Sequence, residues 1–329
     1  MSAAANSALA LERIGYFGKL PACSDFVKLA PDVDLMGVLD DWLAQVMTRL
    51  PGDPRWKLHY DAMAPVAFAF VGPRRRHAVA GHLVASRDQS GRRFPFLIMR
   101  AIAVQAPAAF VAHCPLALSP LFTALAAAAP GVLAAAEPLA PLQQLADRSA
   151  PLEQDASAAL DEFFNGATVA SLSAQLGRQD VAALVLALGM LLQPVMHSGA
   201  ADLEKSLVLP LPRELQARPP VAAFWMELIA PFLRQADLDL ALFFTELESG
   251  PVLVVGFCDA CVAALHAIID PLVGHHQQVS FTDTAWVDEQ LAVDANVDVR
   301  ALASYLDQPA LPLRLARELF LDTFLGAAK

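Results

Sequence analysis

Residues 65–104 read PVAFAFVGPRRRHAVAGHLVASRDQSGRRFPFLIMRAIAV. Three stretches within them are apolar and rich in Val, Ile and Phe: 65–71, 77–86 and 94–104. That composition is what a pleated, largely buried strand requires. Gly72-Pro73-Arg74-Arg75-Arg76 separates the first two, and Asp88-Gln89-Ser90-Gly91 the next two. Connectors this short join antiparallel neighbours, because a parallel crossover needs about a dozen residues or more.

Working outward, Leu35, Leu39, Trp42, Leu43, Val46 and Leu50 recur at helical spacing. Asp34 is the expected N-cap of that helix, and Pro51-Gly52 its stop. Residues 105–141 are rich in Ala and Pro and read as short helices, such as 118–129, leading to a boundary. Further helices are expected at 152–164, 180–192, 221–234, 260–269, 299–306 and 313–325. Strands are expected at 206–211, 240–247, 252–257 and 277–281. Strands and helices interleave with mixed connections, so the expected class is α/β, a mixed sheet with helices on both faces. The expected division is an N-terminal α/β domain, 1–142, and an acidic C-terminal α/β region, 143–329.

The 329-residue chain is 56% hydrophobic and only 17% charged, with a net charge of −11. Disorder needs the opposite balance. The longest apolar run, 181–192, ends at Gln193-Pro194, short of the roughly 20 residues a membrane span needs. Residues 101–136 are uncharged, but Pro107, Pro115, Pro120 and Pro130 are expected to break any continuous helix there. No direct membrane insertion is expected. Residues 1–10 lack a basic residue before an apolar run, so no secretory signal is expected either. Four cysteines make no disulfide framework, and the expected location is the cytoplasm. Charge is uneven: residues 1–142 carry +3 and 143–329 carry −14. Seven arginines lie from Arg74 to Arg100 against one acid, Asp88. Nucleic acid is not an expected partner, because the whole-chain field repels a polyanion and no recognisable module accompanies these arginines.

Cys258-Asp259-Ala260-Cys261 follows an apolar strand and opens a helix. A helix N-terminus there would lower the pKa of the first thiol, so a thiol-disulfide oxidoreductase using Cys258 and Cys261 is one functional reading. The bland alternative is a small apolar pair with Asp259 capping the helix. A metal set of Cys258, Cys261, His266, His275 and His276 lacks the spacing of a zinc site. Gly15-Tyr16-Phe17-Gly18-Lys19 misses the spacing of a phosphate loop, and no Gly-x-Ser-x-Gly elbow is present. His197-Ser198-Gly199 has no assignable partner. No catalytic residue, cofactor or metal is expected.

Two motifs are more specific. One is Gly15-Tyr16-Phe17-Gly18-Lys19-Leu20-Pro21 followed by Asp25-Phe26-Val27. The other is Ser86-x-Asp88-x-x-Gly91-Arg92-Arg93-Phe94-Pro95, with Trp42 and Trp56 between them. Together they resemble the TagF family, also called ImpM, accessory proteins of the bacterial type VI secretion system. The motif-bearing resemblance covers about residues 14–104. Ser24 stands where the family usually has Gly. Phe224-Trp225-Met226-Glu227 and 252–257 resemble the longer members less specifically.

The resemblance implies an α/β/α sandwich. It also implies a non-enzymatic cytoplasmic repressor of type VI secretion, acting after translation through a forkhead-associated (FHA) scaffold protein. A structural subunit of the secretion apparatus is the other alternative. The residues themselves allow two roles. Gly15, Gly18 and Pro21 shape a tight backbone path that turns Tyr16 and Phe17 inward, or they help form a contact surface. Arg92 either pairs with Asp88 or Asp25, or presents its charge to a partner. Trp42 sits on an apolar helical stripe and is expected in the core. Arg74-Arg75-Arg76 reads as a solvated turn or, alternatively, a docking patch for an acidic partner.

Overall fold

The computed structural model describes residues 13–30, 33–148, 150–153, 155–194, 204–233, 238–281, 284–293 and 296–326. Nine strands are β1 (Ile14–Gly18), β2 (Val27–Leu29), β3 (Val66–Val71), β4 (His77–Val84), β5 (Phe96–Ala103), β6 (Ser206–Pro210), β7 (Leu240–Leu247), β8 (Gly250–Gly256) and β9 (Gln278–Ser280). They form one sheet in the order β2-β1-β5-β4-β3-β7-β8-β6-β9. The expected unit β3-β4-β5 is present and antiparallel, in full register from His77↔Ala103 to Val84↔Phe96. Of the neighbouring pairs, β6 with β9 is parallel and the others are antiparallel. The class is therefore α/β with a mixed sheet. β3 pairs with β7 from Ala67↔Phe244 to Val71↔Leu240, so strands from both sequence halves share the sheet.

The helices are α1 (Val33–Arg49), α2 (Trp56–Ala62), α3 (Pro107–Ala117), α4 (Ser119–Ala134), α5 (Leu139–Ala146), α6 (Ala156–Gly166) and α7 (Val169–Leu176). They continue with α8 (Val181–Leu192), α9 (Arg218–Leu233), α10 (Val262–Ile269), α11 (Pro271–Gln277), α12 (Ala285–Val293), α13 (Val297–Leu306) and α14 (Leu313–Leu325). Pro107 and Pro120 sit in the first turns of α3 and α4, where a missing N–H costs nothing. Pro115 and Pro130 lie inside those helices, contrary to the expectation that each would break one. The break falls at Leu118, with a bend of 49° between the two helices. No single helix among the described residues is long and apolar enough to cross a membrane.

Alternation along the strands feeds two cores. Val66, Phe68, Phe70, Leu83, Leu97, Met99, Phe243 and Val254 point to one, with Leu39, Trp42, Leu43 and Val46 of α1 and Leu265 of α10. Trp42 is buried there between Phe68, Phe70 and Phe243 at ring distances of 5.5, 5.0 and 6.2 Å, as its position on the stripe requires. Ala69, Val71, Ala80, Phe96, Ile98, Leu242 and Val255 point to the other core, which α3, α4, α8, α9 and α14 complete. α9 is buried nearly all round because it packs against α3 on one side and against α6 and α14 on others.

Several local expectations are corrected. α1 already includes Val33, so Asp34 lies in its first turn, where a carboxylate complements the helix dipole, and is not the N-cap. The N-cap of α10 is Cys261, not Asp259. Asp259 instead pairs with Arg75 at 2.7 Å, and Arg75 also holds Asp239 at 2.8 Å. The middle residue of the arginine run thus ties the β3–β4 turn to the C-terminal region. His197-Ser198-Gly199 lies outside the described residues.

Candidate functional site

The two sequence motifs meet at one end of β1. Gly18 closes β1 opposite both Val27 of β2 and Phe96 of β5. Its φ is +132°, and a Cβ there would sit 2.0 Å from the Pro95 carbonyl oxygen. Only glycine fits that close approach. The chain then enters the loop 19–26, which lies against the loop 85–95 between β4 and β5.

Asp88 joins the two loops. Its Oδ2 accepts from the Lys19 ammonium at 2.9 Å and from Arg92 Nε at 2.7 Å. Its Oδ1 accepts from the backbone N–H groups of Ser90 and Arg92, and from the Ser90 hydroxyl, at 3.0, 2.9 and 2.8 Å. Burial alone would push the Asp88 carboxyl up. The Lys19 ammonium and the N–H and O–H donors of Arg92 and Ser90 outweigh it and hold the group far below the ordinary carboxylate range. Gly91 takes φ +81° in the same turn, and its N–H donates to the Asp88 carbonyl. Ser86 Oγ donates to the Lys19 carbonyl at 2.6 Å, and Gln89 N–H to the Cys23 carbonyl at 2.9 Å. Arg92 reaches on to the Ser24 carbonyl at 3.0 Å.

An aromatic cluster seals the outer side. Phe26 stacks on Phe17 at 5.6 Å, and Phe94 meets Phe26 and Phe17 edge-on at 4.8 and 5.7 Å. The Lys19 ammonium also lies 5.0 Å from the Phe26 ring centre, a cation–π position. Phe26 remains 41% exposed and Arg92 65%, so they form the solvent-facing rim of this assembly.

The structure therefore brings together Phe17, Gly18, Lys19, Phe26, Ser86, Asp88, Gly91, Arg92, Phe94 and Pro95. Gly15 sits one strand turn away, where a Cβ would meet the Leu29 carbonyl oxygen at 2.7 Å. Tyr16 and Phe17 do not both turn toward the same side. Strand alternation sends Phe17 to the α1 core and Tyr16 to the opposite one. Asp25 is exposed and accepts from the Phe26 N–H at 2.8 Å; Arg92 pairs with Asp88 instead. Pro21 is in an exposed turn, and Trp42 lies in the core away from the loops. Ser24 has no positive φ, so this loop does not need the family's glycine there.

Sequence reading missed the base of the assembly, α2. Tyr60 Oη donates to the Ser86 carbonyl and accepts from the Ser86 N–H, both at 3.0 Å. Asp61 accepts from Arg93 Nε at 2.8 Å. The usable signal was Tyr60 beside Trp56 at i, i+4 spacing in a short segment between a stop and a strand.

Elsewhere, Glu227 of the Phe224-Trp225-Met226-Glu227 segment is buried with His113 at 3.3 Å and Arg317 at 2.6 Å. Burial would raise its pKa, but His113 and Arg317 outweigh that and lower it. At the cysteine pair the expectation is reversed. Cys261, buried at the head of α10, is lowered to about 7 by the Cys258 thiol, against burial and with help from the Ala264 and Ala263 N–H groups. Cys258 is pushed up, chiefly by that same hydrogen bond. The histidines His266, His275 and His276 do not gather with these thiols. Among the described residues, the group with metal-ligating spacing is Asp53, His59 and Asp270.

The two motif loops are interlocked at one end of an α/β sheet. A family model described as TagF N-terminal domain, type VI secretion system-associated, matches residues 15–150. The matched segment contains both motifs. Among solved structures, the crystal structure of PA0076 from Pseudomonas aeruginosa PAO1 is similar at 23% identity, with a TM-score of 0.37. The similarity covers 42% of this chain and 64% of that one, so it spans less than two thirds of the solved chain. No curated protein matches the chain.

Proposed function

We propose that the protein is a non-enzymatic cytoplasmic accessory factor. It represses type VI secretion after translation by binding an FHA-domain scaffold protein of the system. The observation that carries this reading is the coincidence of the TagF N-terminal match with the interlocked loops. The charged groups of that assembly are committed to one another, which suits a preformed binding surface more than a reaction centre. Phe26 and Arg92 offer an aromatic and a cationic contact at its rim, residue types that dominate interface energetics. Co-purification of the full chain with the FHA-domain protein tests the partner. Overexpression tests the sign: secretion of type VI substrates should fall. A folded protein that neither captures the partner nor lowers secretion sinks the proposal.

The lowered Cys261 thiol supports a second, redox reading. Insulin reduction by the parent chain, abolished in the Cys258→Ser and Cys261→Ser variants, would establish it; an inactive parent would end it.

A further inference from the structure

Asp53, His59 and Asp270 come from three separate places in the chain. Asp53 follows the tight turn 50–52 that ends α1, His59 is on α2, and Asp270 links α10 to α11. One ligating atom from each lies within 4.8 Å of the other two. His59 Nε2 is 3.3 Å from Asp53 Oδ2. Both atoms are buried, and neither has a hydrogen-bond partner. The Asp53 side chain is only 9% exposed and Asp270 only 2%. Buried polar atoms are nearly always satisfied, so two orphans facing each other call for a shared partner.

The remaining bonds orient the carboxylates. Asp53 Oδ1 accepts from the Arg55 N–H at 2.8 Å, with the Arg55 guanidinium at 3.6 Å. Asp270 Oδ1 accepts from the Leu272 and Val273 N–H groups as the cap of α11. Each carboxylate thus uses one oxygen for backbone, which fixes its plane. These are the outer contacts that metal-ligating side chains usually have.

We propose that Asp53, His59 and Asp270 form a binding site for one divalent first-row transition ion of the zinc class. Two carboxylates and a neutral imidazole supply the charge a dication needs, and Arg55 offsets only part of it. The imidazole disfavours Mg²⁺ and Ca²⁺, which take oxygen ligands. Bonds of about 2.1 Å place tetrahedral ligands about 3.4 Å apart, close to the His59–Asp53 spacing, so a small inward movement of Asp270 completes the set. Three protein ligands leave a position for water. The ion would join the N-terminal segment to the C-terminal one directly beneath α2, whose Tyr60 and Asp61 hold the second motif loop.

The test is Zn²⁺ titration of the chelator-treated full chain by calorimetry, with Co²⁺ absorption alongside. One Zn²⁺ per chain and a raised Tm are expected. The Co²⁺ spectrum should lack a thiolate charge-transfer band. Asp53→Asn, His59→Gln and Asp270→Asn should each weaken binding by at least about tenfold, the order lost even with outer contacts. Asn retains the helix cap at 270, and half-buried His59 tolerates Gln, so these variants should fold. The Cys258→Ser/Cys261→Ser variant should bind as the parent does. No uptake by the folded parent would overturn the proposal. So would unchanged affinity in the three variants, or loss of binding with the cysteines alone.

Discussion

Lys19 and Asp88, 69 residues apart, form an ion pair at 2.9 Å with side chains 9% and 0% exposed. Removing Lys19 takes one charge-assisted hydrogen bond from a buried carboxylate that Arg92 and Ser90 still hold. Lys19→Met is therefore expected to lower Tm by several degrees. The Asp88 carboxyl is held low in the fold, while the unfolded chain protonates near pH 4. The unfolded state then binds more protons as the pH drops below about 4, so the Asp88 contribution is present above that pH and is lost toward stronger acid. Asp88→Asn should flatten the acid limb of a stability–pH curve. Lys19→Met should shift acid unfolding to higher pH. Urea melts at a series of pH values check both.

The two loop glycines should respond differently to Ala. At Gly18 a Cβ strikes the Pro95 carbonyl, so Gly18→Ala should yield little soluble protein. At Gly91 nothing lies within 4 Å, leaving only the left-handed backbone. Gly91→Ala should fold and lose about 1–2 kcal/mol. Expression yield and thermal melts separate the two.

His82 lies on β4 beside a cavity of about 540 Å³ lined by Phe122 and Phe244. Burial lowers it to about 4, and its Nδ1 has no partner. The unfolded imidazole protonates near pH 6.5, so stability should fall as pH drops from there toward 4. His82→Leu should raise stability by about 1 kcal/mol and remove that slope. Denaturant melts at about pH 7 and about pH 5 test the sign.

Thiolate absorption should titrate with a midpoint near 7 for Cys261. Cys258→Ala removes the hydrogen bond that contributes most to that lowering, and the midpoint should rise. An unchanged midpoint would assign the lowering to the helix head instead.

A fragment ending at Ala150 would leave the β7-facing edge of β3 open, with Phe68 and Phe70 on it. Open apolar edges recruit other chains. Size-exclusion chromatography should show oligomers. A monodisperse, cooperatively melting fragment would instead establish 1–142 as an independent domain.

The β3-β4-β5 unit was legible because each strand is apolar and each connector too short for a crossover. Trp42 was legible because helical spacing places it with Leu39 and Val46. Helix edges were less so: Pro115 and Pro130 are tolerated because packing outweighs a lost backbone bond. The motif loops announced themselves, yet their chemistry did not. Arg92 had two candidate partners by charge, Asp88 and Asp25, and no spacing pointed to Lys19, which only the fold places 2.9 Å from Asp88. His59 and Asp53 carried no pattern, because Asp270, which the fold brings within 4.8 Å of them, is far off in the chain. The polarity of the cysteine pair was not legible, because the Cys258–Cys261 hydrogen bond that contributes most to it exists only in the fold.

The β3–β7 pairing has a consequence for biosynthesis. Ribosomes add about 5–20 residues per second, so β3 waits on the order of ten seconds for Leu240–Leu247 to be made. Throughout that interval the centre of the sheet is an unfinished edge. Refolding in vitro should be slow for the same reason, since loop closure over so long a span precedes its reward. Until β7 arrives, that apolar edge is open to pairing with other chains.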